Sequence, residues 1–283
     1  MKKEKKTLSR EISLEIASIC GKHFFGIEHL HYGYWTKGLE PKILNMHAAQ
    51  VNYVKFLHEN IPDGVKTILD VGCGAGHVAK YLTDKGYEVD CVSPSHYLAE
   101  KARALLGDKC KMYECFYEEL ETDKKYDMVM FSESFQYMKP EESLPKSVSV
   151  LNPDGHILIC DVFKKNNTDG LGRNPLPGGF LINRVYDALD SQPLELKKDI
   201  DISENAATNL DLENEVYMQV GKPVLELVEK LMADRHPLIT KLANWKFRKK
   251  KAKLEKKYFS GTRSGENFKK FKTYRLMLYK LTA

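Results

Sequence analysis

The chain has 283 residues, 42% hydrophobic and 29% charged, which suits one sizeable domain with additions and excludes both disorder and a fibrous repeat. Its 44 basic against 39 acidic residues leave a net charge of +5, too small an excess to mark a nucleic-acid binder. Six cysteines without CxxC spacing, no signal-peptide pattern and no run of about 18 apolar residues predict reduced thiols and a cytoplasmic location.

Residues 1–63 read as an N-terminal helical cap. A polar–apolar segment near residues 8–20 leads into the aromatic stretch 23–35, and apolar residues recur at helical spacing over 45–61 before the turn Pro62-Asp63-Gly64. From Lys66 short apolar runs alternate with amphipathic helices: TILDVG, HVAKYLTDKG, YEVDCVS, HYLAEKARALLG, KMYECF, YDMVMFS, LPKSVSVLN and GHILICDVF. Apolar strands separated by single helices require a parallel sheet covered on both faces, so residues 64–163 are expected to be doubly wound α/β. Residues 166–180, dense in Gly, Pro and Asn, must be loop. A strand over 194–203, lysine-rich helices over 211–257 and a strand over 271–281 close the chain. The expected organisation is a core of 64–203 plus 263–283, with 204–262 as a helical insert acting as a lid.

The stretch that carries chemistry is Asp70-Val71-Gly72-Cys73-Gly74-Ala75-Gly76-His77, a strand end, three glycines at alternate positions and a helix start. Glycines let backbone turn tightly and approach a ligand, and the helix start supplies free N–H groups. The dinucleotide fingerprint needs its third glycine where His77 stands, which disfavours NAD and FAD.

With this DxGxGxG pattern, YDMVMFSESFQYM (126–138) and LPKSVSVLNPDGHILICD (144–161) in the same order, the chain resembles the class I S-adenosylmethionine-dependent methyltransferases. The resemblance implies a seven-stranded Rossmann-like sheet with its last strand antiparallel between the fifth and sixth. It also implies S-adenosyl-L-methionine as cofactor, with Gly72, Gly74 and Gly76 wrapping its methionine part and Asp70 ordering the loop. Ser93, followed by Pro94, stands where an acid usually takes the ribose hydroxyls, and serine can make only part of that contact. Phe116 and Tyr117 fall at the adenine, and Ser132 where a backbone carbonyl meets the cofactor's amino group.

His31-Tyr32-Gly33-Tyr34-Trp35 resembles the GYW entry of small-molecule and lipid methyltransferases, placing Tyr34 and Trp35 at the cofactor and Tyr32 beside the reacting methyl. These rings could equally pack the N-terminal helix onto the sheet. Glu133, at the end of the fourth strand, is the general-base candidate, with Tyr137 a further catalytic candidate, although a glutamate there could also serve as a cap or hydrogen-bond partner. Gln136 and Tyr137 stand where cyclopropane-forming relatives hold bicarbonate with a Glu-His pair, which argues against cyclopropanation. Ser132-Glu133-Ser134-Phe135 lacks the Asn/Asp-Pro-Pro-aromatic signature of base-methylating enzymes, which argues against a nucleic-acid substrate. His29-x-His31 has no third ligand at sensible spacing, so no metal is expected.

The basic run 246–257 reads as a solvated helix face or as an attraction to an anionic membrane surface. The expected activity is methyl transfer to a small or lipid-like acceptor held between Tyr32, Tyr34, the 170–184 loop and the insert. The alternative is a non-catalytic cofactor-binding protein that docks a partner or membrane through the basic helix.

Overall fold

The computed structural model describes residues 12, 15, 16, 18–176 and 178–282. The first eleven residues of the expected cap and Pro177 of the 166–180 loop lie outside them. At residues 18–25 the chain is helical (α1), and α2 (Met46–Glu59) forms over the predicted periodic stretch.

Strands β1 (Thr67–Val71), β2 (Glu88–Val92), β3 (Met112–Tyr113), β4 (Tyr126–Ser132) and β5 (Leu151–Lys164) run parallel, linked by α3 (His77–Asp84), α4 (His96–Leu106) and α5 (Pro140–Val150). After β5 the chain makes α6 (Ile182–Asp190), β6 (Leu194–Asp201), α7 (Ser203–Val216), a π-helical turn (Tyr217–Gly221), α8 (Lys222–Arg235), α9 (Pro237–Tyr258), α10 (Gly265–Phe271) and β7 (Lys272–Leu281). The seven strands lie in the order β3-β2-β1-β4-β5-β7-β6, with β7 antiparallel to both neighbours. This is the expected class I methyltransferase sheet.

Period-two alternation divides the core between the two faces. Ile68, Met128, Met130 and Leu276 join one apolar cluster, which α7 and α10 cover with Leu210 and Phe268. Leu69, Val71, Val129, Phe131 and Met277 join the other, with Val185 and Leu189 of α6. Strand order reverses between β1 and β4, and in such sheets the crevice at the carboxyl ends of the reversing strands is where ligands bind.

The expected insert 204–262 divides in two. Helix α7 is part of the core: Ala206, Ala207, Asn209, Leu210 and Leu212 are all buried. Helices α8 and α9 bury no residue. The short α6 and α10 went unpredicted, although Ile182, Val185 and Leu189 recur at helical spacing in α6 just after the Gly/Pro-rich loop.

Candidate active site

Strand β1 delivers Asp70, 1% exposed, to the floor of a cavity of about 350 Å³. Its carboxyl is pushed up to about 7 by burial, and its Oδ2 has no hydrogen-bond partner. A buried polar oxygen without a partner is costly, so this atom is poised for a donor from a ligand. The loop then turns through left-handed backbone at Gly72 (φ 77°) and Gly74 (φ 57°). A Cβ on Gly72 would sit 2.4 Å from Ser134 Cβ, whereas one on Gly74 would meet only Leu30, at 3.7 Å. Gly72 therefore lets two loops touch, while Gly74 keeps backbone bare at the cavity.

Of the predicted cofactor residues, Asp70, Gly72, Gly74, Ser93, Pro94, Phe116, Tyr117 and Ser132 line this cavity together. Gly76 does not. It lies where α3 approaches α4, and a Cβ there would press on Ala102 at 3.1 Å. Tyr117 is buried and bonded to Ser147, leaving half-exposed Phe116 as the accessible ring. The sequence reading missed Glu118, a carboxylate in the cavity wall beside Phe116, together with His29, His31 and His77. His29 and His31 are visible in the sequence only as a pair short of a third metal ligand and His77 only as the residue after the glycines; the fold is what brings them to one cavity with Glu118. His31 Nε2 lies 3.0 Å from His29 Nδ1; burial lowers His29 to about 3 and His31 to about 4. Both are neutral at pH 7, so neither repels a cationic ligand.

Tyr34 and Trp35 depart from their expected place, lining neither this cavity nor the second one described below. Tyr34 stacks on Phe56 with centroids 4.7 Å apart, and Trp35, 6% exposed, packs with Met46, Ala49 and Leu212. The cause is Asn209 of α7. Its Oδ1 accepts from Gly33 N–H at 2.8 Å and Trp35 Nε1–H at 3.2 Å, and its Nδ2 donates to the Gly33 and Ala206 carbonyls at 2.8 Å. Gly33 and Trp35 are thus held to α7 as part of the scaffold. Asn209→Ala would strand buried Gly33 and Trp35 groups at about 1–3 kcal/mol each; the expected loss in denaturant titration is about 3 kcal/mol. A loss below about 1 kcal/mol would show that the clamp lies elsewhere.

Glu133 follows β4 in left-handed backbone, φ 54°, an uncommon state for a side-chain-bearing residue and one often retained at functional sites. Its Oε1 accepts from Tyr32 N–H at 2.8 Å and Tyr274 Oη–H at 2.6 Å. Tyr274 Oη lies 3.0 Å from Tyr53 Oη, which lies 3.2 Å from Ser132 Oγ. Enclosure raises the Glu133 carboxyl to about 8, against the pull of the Tyr274 hydrogen bond and with the Asp161 charge adding to the rise.

Glu133 faces two spaces. A second cavity, of about 220 Å³, shares Leu30, Glu133 and Tyr137 with the first and is otherwise walled by residues including Tyr32, Gln136, Val162, Leu176, Leu210, Arg263, Phe268 and Lys272. Tyr32 and Tyr137, the other two catalytic candidates, thus border this second space, Tyr137 being 70% exposed. Helices α8 and α9 contribute nothing to either wall, so the 204–262 stretch reaches the cavities only through Leu210.

Comparison with known proteins fits this arrangement. A family model described as a methyltransferase domain matches residues 46–188. A ubiquinone biosynthesis O-methyltransferase from Rickettsia bellii (strain OSU 85-389) is 29% identical over 154 residues, 51% of this chain and 63% of that protein. An uncharacterized methyltransferase from Staphylococcus carnosus (strain TM300) is 29% identical over 117 residues, 39% of this chain and 54% of that protein. The matches thus span between about half and two thirds of the length of these curated relatives. Among solved structures, geranyl diphosphate C-methyltransferase from Streptomyces coelicolor A3(2) superposes with a TM-score of 0.66 at 14% identity, covering 93% of this chain and 92% of that one. A mycolic acid cyclopropane synthase superposes at 0.65 and 15% identity, covering 89% and 90%; at such identity the likeness is one of fold. The family model takes in β1 to α6, glycine loop and Glu133 included, over just more than half the chain, and the chain belongs to the methyltransferase-domain family.

Proposed function

We propose that the protein transfers a methyl group from S-adenosyl-L-methionine to a small or lipid-like acceptor. One observation carries the reading: a carboxyl, Glu133, stands with Leu30 and Tyr137 in the wall common to a glycine-lined cavity and a second, smaller one. The residues present suit the cofactor, with bare backbone at Gly74, an unpartnered Oδ2 on Asp70, an accessible Phe116 ring and neutral histidines near a cationic group. When bound, S-adenosylmethionine supplies an electrophilic methyl on sulfur.

The chain's own part is placement and proton handling. The second cavity holds the acceptor against Glu133, with Val162, Leu176, Leu210 and Phe268 as the apolar part of a wall that also carries Tyr32, Gln136 and Tyr137. As the acceptor atom gains a methyl, Glu133 removes its proton; Tyr32 N–H and Tyr274 Oη–H hold the carboxylate in place. The test is formation of S-adenosylhomocysteine with methyl-labelled cofactor and fractionated small-molecule and lipid extracts. Cofactor binding with no labelled product in any fraction would leave the chain a non-catalytic binder.

The exposed hairpin supports a peripheral membrane contact. In α9 eight lysines and one arginine stand against one glutamate, a net +8 in a chain totalling +5, so the remainder carries a net −3. Large apolar side chains stand out from the same hairpin, Leu227 at 67%, Leu238 at 81%, Ile239 at 62% and Trp245 at 74% exposure. Basic charge beside exposed apolar groups fits an anionic bilayer surface, each cation contributing about 1 kcal/mol, whereas two copies pairing there would repel. No helix among the described residues is long and apolar enough to cross a membrane. Sedimentation with phosphatidylserine-containing vesicles should exceed that with pure phosphatidylcholine, and Trp245→Glu should abolish the difference. Equal sedimentation with both would remove the membrane from the account. Six unpaired cysteines, four of them buried, suit a reducing cytoplasm.

A further inference from the structure

The polar side of the second cavity holds an amide whose orientation is set from behind. Gln136 lies in the 3-10 turn after β4 (Phe135–Tyr137) and borders the cavity. Behind it stands Asp161 of β5, 0% exposed. Asp161 Oδ2 accepts from Gln136 backbone N–H at 2.9 Å, and Oδ1 accepts from Val162 N–H at 2.6 Å and from Gln136 Nε2 at 3.0 Å. A backbone N–H can only donate, so each carboxyl oxygen is already committed to accepting. The side-chain amide must then turn its NH₂ toward Asp161, because the opposite orientation sets carbonyl oxygen against carboxyl oxygen. Burial raises Asp161 to about 7, and the hydrogen bonds from Gln136, Val162 and Phe135 oppose that rise. Above pH 7 the acceptor-only carboxylate therefore sets the amide.

Fixing Nε2 also fixes Oε1. Gln136 is partly buried, and among the described residues no hydrogen bond reaches its Oε1. The neighbouring loop leaves this atom room: Gly178 has left-handed backbone, φ 83°, and a Cβ there would stand 3.5 Å from it. Glu133 offers the same cavity a second acceptor. Both of its chain donors, Tyr32 N–H and Tyr274 Oη–H, go to Oε1, which leaves Oε2 for a ligand.

The cavity thus presents two acceptors of different kinds, a carboxyl that can take a proton and an amide oxygen that only receives a hydrogen bond. A ligand with one protic group satisfies one of them and leaves the other polar atom without a donor, which is unfavourable away from bulk water.

We propose that Gln136 selects the methyl acceptor, its Oε1 receiving a hydrogen bond from a second O–H or N–H beside the one that Glu133 deprotonates, so that the acceptor carries a diol or amino-alcohol unit. This rests on the second cavity being the acceptor's place in the proposed methyl transfer.

The experiment is calorimetry on the full chain at pH 8. S-adenosylhomocysteine is titrated first, and failure of wild type to bind it would defeat the methyl-transfer reading itself. The loaded protein is then titrated with 1,2-octanediol and with 2-fluorooctan-1-ol, whose fluorine is close to a hydroxyl in size but cannot donate. The diol should bind wild type at least tenfold more tightly. Gln136→Met keeps the side-chain length and removes the amide oxygen. It should bring the two ligands within twofold of each other, with the affinities for the fluoroalcohol and S-adenosylhomocysteine within twofold of wild type. If that variant does not fold, the wild-type comparison decides. Equal binding of the two ligands to loaded wild type, no detectable binding of the diol, or a tenfold gap that persists in folded Gln136→Met overturns the role of Gln136 while leaving the cofactor assignment standing.

Discussion

Glu133→Gln should reduce methyl transfer by about 10²–10⁴-fold with little change in cofactor affinity, the scale of a lost general base. Glutamine preserves the Oε1 acceptor that Tyr32 N–H and Tyr274 Oη–H use, so the fold should survive. The pH dependence separates the base from a structural role. A base must be deprotonated to act, so wild-type turnover should rise toward a pH of about 8, where Glu133 titrates, and the variant's residual rate should lose that rise.

Stability should move in the opposite sense. The folded carboxyl keeps its proton up to about pH 8 while the unfolded one releases it near the ordinary glutamate value of 4.5. This group's contribution to stability is therefore present at low pH and lost as pH rises through that window. Between pH 5 and 8 the melting temperature of Glu133→Gln should fall less than that of wild type. A variant with normal turnover and an unchanged pH profile would return Glu133 to a purely structural part.

Gly74→Val should weaken S-adenosylmethionine binding by at least 100-fold. The φ of 57° is unfavourable for a β-branched residue, costing about 1–2 kcal/mol locally. A Cβ at Gly74 meets only Leu30, at 3.7 Å, so the added atoms enter ligand space without displacing core. Gly72→Val is a poorer probe, because its Cβ would collide with Ser134 and disturb the loop holding Glu133. Calorimetry on a variant with native circular dichroism measures the effect. Binding within a few-fold of wild type would move the cofactor away from the 70–76 loop.

The elements legible in the sequence were those specified locally. Strand β1, the glycines and α3 lie within eighteen consecutive residues, and apolar periodicity together with backbone chemistry fixes them wherever the rest of the chain goes. The place of β7 between β5 and β6 was implied by the resemblance to a known family, and the sheet has that order.

Where each aromatic or charged side chain points was not local information. Trp35 lies beside the expected ligand segment in sequence, but Asn209, 174 residues away, supplies its indole with an acceptor, so burial in the scaffold is favoured over a place at the cofactor. Glu133 was visible as a candidate, whereas its raised titration depends on enclosure and on donors 101 and 141 residues distant. Neither Lys272 nor Arg263 drew notice in the sequence, since a lysine at a strand start and an arginine in a loop are ordinary surface patterns. They reach the wall of one small cavity only when β7 enters the middle of the sheet and the segment after α9 folds back. Burial and long-range pairing are properties of the assembled chain, so these decisions belonged to the tertiary structure.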